Sequence, residues 1–144
     1  MAKQDWSPRG LKTGCEVVMH REVESDPDIS WIEGRVKDGE RGYIKEGVAP
    51  AKARRYAGKD RERLEAFQRQ EWWMTYVYGS LEFEDRNGET VTIRSGGLGN
   101  VESDAGKSYL NSIAKEEIAD LLKQMESLGY RCLKKPRIRW SDHF

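Results

Sequence analysis

The chain has 144 residues, the length of one domain, and such a domain buries roughly 70% of the surface its unfolded form exposes. Charged residues reach 35% against 37% hydrophobic, so the core must lean on large side chains; five Trp and six Tyr supply them, each burying roughly 150–250 Å². Bases and acids balance at 25 each, which excludes a uniformly polybasic or polyacidic chain, and no apolar run approaches the roughly 18 residues of a membrane span.

Two cysteines, Cys15 and Cys132, are too few and too far apart for a disulfide framework or a zinc-ligand pattern. The opening "MAKQDWSPRG" lacks the apolar core of a signal peptide. These features predict a soluble protein of a reducing cytosol, with no membrane segment, no metal and no cofactor.

In chain order, "CEVVMHREV" places Cys15, Val17, Met19 and Val23 on one face at period two, interrupted by Arg21, and predicts a strand. "ESDPDISWIEG" breaks it, because Pro27 removes a ladder donor and Asp and Ser favour turns. Trp31 and Ile32 are expected to anchor that turn on the core. Residues 33–58 hold five glycines and Pro50 with little periodicity, and read as a loop-rich insertion. "KDRERLEAFQR" predicts a short helix over about 59–70, with Asp60 as N-cap and Leu64 and Phe67 as its stripe.

"WWMTYVYGSLEFED", Trp72–Asp85, is the strongest strand signal. Its second half alternates and its first half is apolar on both faces, as for a strand covered twice. A three-residue loop, Arg86-Asn87-Gly88, pairs Phe83 with Val91 and Leu81 with Ile93. A two-residue turn would scramble the faces, so the longer loop is preferred, with Gly88 in the left-handed position. A helix over about 104–128 follows from Leu110, Ile113, Ala114, Ile118, Leu121 and Met125, and Gly129 marks its end. Its stripe should cover the sheet face of Leu81, Phe83, Val91 and Ile93. Tyr130–Leu133 can add an edge strand before a basic tail, 134–144. The fold class is therefore α+β: one domain, an antiparallel sheet of three to five strands around a central hairpin (about 72–95), and a long helix across one face.

The glycine run "SGGLGNVESD", Ser95–Asp104, poses a question of function. A phosphate cradle needs converging amides at a helix N-terminus and a nearby cation. This run has neither the G-x-G-x-x-G nor the G-K-[ST] spacing, and Glu102 and Asp104 would repel phosphate. It reads as a connector from strand to helix, those two acids capping the helix.

"GLGNVESD", Gly97–Asp104, followed by "SYLNSIAKEEIADLLKQMESLGY", resembles a family of small proteins of unknown function encoded by phages, plasmids and integrative elements. "DPDISWI", Asp26–Ile32, and "DRERLEAF", Asp60–Phe67, resemble further pieces of it. Leu98 is not followed by the family's aromatic, and Asn100 stands where glycine is usual. The resemblance implies a mobile-element setting in a bacterial cytosol. It implies no reaction.

His20 is the one histidine within the expected core and a candidate general base if folding brings a cysteine to it; His143 reads as solvated. Asp26 and Asp28 could ligate a hard cation with Glu22 or Glu24, but a turn capped by Asp side chains explains them without a metal and is the preferred reading. "DRNGE" lacks the length of a calcium loop. No nucleophile–base pair is visible, so a non-enzymatic protein is expected.

Charge is uneven. Residues 81–126 carry ten acids against five bases, whereas residues 51–70 and 131–144 each carry an excess of four bases. The acidic set Glu82, Glu84, Asp85, Glu102 and Asp104 suits a basic groove on a partner protein. The leading expectation is thus an interaction protein of a mobile element, with inhibition of a host defence system (anti-CRISPR-like) as its task. The alternative is a nucleic-acid-binding accessory protein using basic segments 51–63 and 131–140: Lys52, Arg54, Arg55, Lys134, Lys135, Arg137 and Arg139, with Tyr56 and Trp140 available to stack.

Overall fold

Eleven residues, Met74–Glu84, form the strand around which everything else is arranged. The computed structural model describes residues 9–11 and 15–141; His143 lies outside them. The elements are β1 (Arg9–Leu11), β2 (Glu16–Val23), α1 (Ser30–Lys45), α2 (Pro50–Gln68), β3 (Met74–Glu84), β4 (Thr90–Arg94), β5 (Leu98–Glu102), α3 (Lys107–Ser127), β6 (Tyr130–Cys132) and β7 (Arg137–Trp140). This is the expected α+β class. Among the described residues, no helix is long and apolar enough to cross a membrane.

The main sheet runs β4-β3-β2-β7, with β5 also on β3. It is mixed rather than antiparallel. β2, β4 and β5 oppose β3, but β7 lies parallel to β2, and β1 and β6 form a separate parallel pair. A parallel neighbour needs a long crossover, which the chain between β2 and β7 supplies. The hairpin has the anticipated register, Phe83 opposite Val91 and Leu81 opposite Ile93. Gly88 takes φ +78, while the Asp85 carboxylate accepts the Asn87 and Glu89 amides at 2.9 Å each.

α3 crosses the sheet face formed by the odd-numbered residues of β2 and β3. Its Ile113, Ala114, Leu121 and Met125 pack with Val17, Met19, Val77, Leu81 and Phe83. Each fully buried aliphatic side chain contributes about 1.5–3 kcal/mol. Gly79 permits the close approach, since a Cβ there would stand 3.0 Å from Leu121 Cδ1 and 3.2 Å from Met19 Sδ. Gly129, at φ +91, ends the helix as expected.

Residues 33–58 are not a loop. α1 and α2 pack against each other as a helical arm whose contact with the sheet centres on a second core of Ile32, Trp72 and Met74, joined by Val36, Leu64 and Phe67. α1 breaks at Gly39, where φ is +59. Its inner stripe, Ile32, Val36 and Tyr43, follows helical spacing in spite of the glycines. In α2 the inner stripe begins with buried Ala53 and Ala57, small enough to let the helices approach, and Pro50 occupies the first turn, where proline is favoured. The expected short helix is therefore the second half of a longer one. Asp60 caps nothing and instead accepts a hydrogen bond from the Tyr43 hydroxyl. Tyr43 also meets Tyr56 edge-on at 5.4 Å.

The cysteines also depart from expectation. Cys15 and Cys132 form a disulfide with Cα atoms 5.9 Å apart, because α3 and β6 return the chain over the start of β2. Sequence separation carried no information about that return. Closing so long a loop restricts the unfolded chain by about 3–5 kcal/mol in entropic models, and such bonds are rare in a reducing cytosol.

Two glycine substitutions separate backbone need from mere tolerance. Gly58 lies within α2 with open space around a new Cβ, whereas Gly97 holds φ +80 and its Cβ would clash with the Tyr76 hydroxyl. In urea denaturation, Gly58→Ala should stabilise by about 0.5–1 kcal/mol. Gly97→Ala should destabilise by about 1–3 kcal/mol or more.

Candidate interaction site

Residues 90–102 do not connect a strand to a helix; they run along the whole of β3 as one interrupted strand. β4 pairs with residues 80–84 and β5 with residues 74–77. Because β2 occupies the other edge of β3, both lie on the same side. The pairing slips by one residue between Arg94 and Leu98, and by another between Leu98 and Val101. These two bulges fall where Gly97 (φ +80) and Asn100 (φ +55) adopt left-handed conformations, as bulged strands require.

Bulges leave amides without ladder partners, and each backbone N–H is a strong donor that calls for an acceptor. Carboxylates supply them. Asp120 accepts the Gly96 N–H at 2.9 Å, Glu117 accepts the Gly97 N–H at 2.6 Å, and Glu24 accepts the Asn100 N–H. Glu117 is 9% exposed, so its charge lies within the sheet–helix seam. The amides that could have gripped a phosphate already hold the protein's own anions.

Glu102 and Asp104 do not cap α3, which starts at Lys107 behind Gly106 with no side-chain cap. They bind Arg63 of α2 instead. Its guanidinium donates to both Asp104 oxygens at 2.7 and 2.6 Å, lies 3.3 Å from Glu102 and covers the Trp72 ring at 3.7 Å. Trp72 Nε1 returns a hydrogen bond to the Arg63 carbonyl at 2.9 Å. The hydrogen bond from Arg63 holds the Asp104 carboxyl below its ordinary range, against an opposing desolvation. This cluster joins the arm to the sheet.

Beside the joint lies an open cleft of about 380 Å³, lined by Trp31, Asn100, Glu102, Ala105, Gly106 and Tyr109. Trp31 is 42% and Tyr109 51% exposed. Trp31 thus does not anchor its turn on the core; Ile32 alone does, at 1%. Asp28 accepts both the amide and the hydroxyl of Ser30, the capped turn rather than a cation site, and among the described residues no His, Cys, Asp and Glu group could hold a metal ion. Four sequence segments meet at this corner: 26–32, 60–67, 97–104 and the first turn of α3.

The five acids of the expected surface are not together. Glu102 and Asp104 sit beside Met74, and Glu82, Glu84 and Asp85 lie at the other end of β3, roughly 26–36 Å away at about 3.3 Å per residue. Asp85 is occupied by the hairpin turn, and only Glu82 and Glu84 are exposed acids of β3. The two basic segments are separated as well. β7 pairs with residues 16–19 of β2, whereas the arm leaves from the far end of that strand. Arg139 pairs with Glu16 at 3.1 Å. Trp140 packs against the main core and is no stacking platform. Arg137, Lys134 and Lys135 are exposed.

His20 stands on the sheet face away from α3, stacked on Tyr78 at 4.7 Å with Nε2 2.7 Å from Ser80 Oγ. Cys15 is on the opposite face and bonded to Cys132, so the His–Cys pairing does not form. Sequence reading missed Trp31 and Tyr109 as site residues. The available signal was two large aromatics flanking a turn and a helix start, which composition alone assigns to the core. No known protein family, curated protein or solved structure matches the chain.

The joint has a pH signature. A carboxyl with a depressed folded pKa adds stability above its unfolded value, about 3.9 for Asp, and loses it as pH falls through the folded value. The Tm difference between the wild type and Asp104→Asn should therefore be constant from about pH 8 to 5 and shrink progressively as pH falls below about 4. An unchanging difference across that range would show that the pairing with Arg63 contributes nothing.

Proposed function

We propose that the chain is a non-enzymatic interaction protein of a mobile element, and that it holds a cationic segment of a partner protein in the Trp31–Tyr109 cleft. The observation that carries this reading is the meeting of segments 26–32, 60–67, 97–104 and 107–110 at one corner. These are the same pieces that carry the mobile-element resemblance. Exposed Trp and Tyr are the side chains most often found as interface anchors, and their ring faces attract Lys and Arg.

Charge supports the same partner chemistry. Glu102 lines the cleft, Glu24 reaches its Asn100 amide and Asp104 flanks it, against the guanidinium of Arg63 and that of Arg21, which donates to the Ser103 carbonyl. Two of the five acids first assigned to an acidic surface thus take part, and the other three stand apart at the hairpin end. Occupying a basic surface of a host protein would inhibit whatever binds there, and a defence nuclease is the target that the mobile-element setting favours. No reaction is assigned.

A Trp31→Ala/Tyr109→Ala variant tests this reading, since both side chains are exposed and the fold should survive. A synthetic octa-arginine peptide should bind the wild type and compete for the protein it captures from a bacterial lysate. Loss of two anchors should weaken both interactions by about 10³-fold, from about 2 kcal/mol for each of the two hot spots. Equal peptide affinity and equal capture by the folded double variant would remove the cleft from consideration.

A further inference from the structure

α2 has a second surface that the cleft does not use. Its inner stripe, Ala53, Ala57 and Leu64, faces α1 and the second core. At 100° per residue the opposite, outward stripe is Lys52, Arg55 and Lys59, and all three are exposed. Among the described residues none of them meets a carboxylate within ion-pair distance; the neighbouring Arg54 reaches Glu40 only at 3.9 Å. From Lys45 to Arg61 the arm carries six bases, Lys45, Lys52, Arg54, Arg55, Lys59 and Arg61, against Glu46 and Asp60. Asp60 is already engaged by the Tyr43 hydroxyl. Glu62 bounds the stripe one turn beyond Lys59.

We infer that this stripe binds the phosphate backbone of a double-stranded nucleic acid. Lys52 to Lys59 spans about 10 Å along the helix, the rise of about three base pairs, and a duplex offers one charge per roughly 1.7 Å of that length. The outward face has three cations and no apolar anchor among them. An acidic protein partner would need a desolvated apolar centre to bind there, whereas backbone phosphates need only charge and donors. The aromatic beside the stripe, Tyr56, is 38% exposed but is held edge-on against Tyr43 at 5.4 Å rather than presented face-out to stack with unpaired bases, which favours a duplex over a single strand. Binding here carries no sequence preference, because base edges are not reached. The surface is separate from the cleft, so a partner and a duplex can be held together.

Fluorescence polarisation of a labelled duplex of about 20 base pairs, measured across salt concentrations, tests the inference. The wild type should bind with an affinity that falls steeply with salt. A Lys52→Gln/Arg55→Gln/Lys59→Gln variant should bind roughly 10²-fold more weakly at ~0.1 M salt, with the log–log salt slope reduced by about 2.7 for three lost phosphate contacts. Lys52→Arg/Lys59→Arg should bind as the wild type does, and Trp31→Ala/Tyr109→Ala should also bind normally, which separates this test from that of the cleft. Equal affinity and slope in the triple Gln variant, with its circular dichroism unchanged, would overturn the inference. So would preferential binding of a single strand or of polyglutamate, or no duplex binding by the wild type at low salt.

Discussion

The arrangement depends on three carboxylates that accept amides released by a twice-bulged strand. Without Asp120 and Glu117, Gly96 and Gly97 would present unpaired N–H groups beneath α3; without Glu24, Asn100 would do the same at the cleft. Gly96 and Asn100 are exposed and Gly97 is half-buried, so each bond contributes a net of about 0.5–1.5 kcal/mol. The same bonds are directional, which hydrophobic burial is not. They fix how far α3 lies along the sheet, and hence where Tyr109 stands relative to Trp31.

Two kinds of packing then divide the molecule. The odd face of the sheet and α3 form a continuous apolar core, with Gly79 setting the distance. The arm has only a small core at its base, and Ile32, Trp72 and Met74 do most of the burying. Arg63 supplements it by filling the space over Trp72 while tying Glu102 and Asp104. Its carboxylate partners are solvent-accessible, so the pairs contribute modestly to stability. Their larger effect is positional: they hold the base of α2 against the loop that lines the cleft.

Where hydrophobic spacing was strong, sequence reading was accurate. The alternation of Leu81 and Phe83 against Val91 and Ile93 determined the hairpin register, and the Ile113–Met125 stripe identified α3 and its sheet face. Glycine content misdirected the reading of 33–58. Gly34, Gly39 and Gly42 hid an Ile32–Val36–Tyr43 stripe, and the inward residues of α2 are alanines, which carry little hydrophobic signal yet permit close helix contact. The bulges were illegible for another reason. Their amides are satisfied from Glu24, Glu117 and Asp120, far away in sequence, so "SGGLGN" looked like a connector. The cleft followed the same pattern: its parts were visible as separate motifs, and only the Arg63 joint brings them together.

An anion-binding geometry satisfied from within lies beside an aromatic cleft, and the bulged strand positions both. The direct test is a ¹H–¹⁵N titration of the folded chain with inorganic phosphate and then ATP, following the amides of Gly96, Gly97 and Asn100. Occupation by Asp120, Glu117 and Glu24 predicts that these resonances stay in place while ligand is added. Saturable movement of all three would mean that phosphate displaces the carboxylates, and it would contradict the account at its foundation.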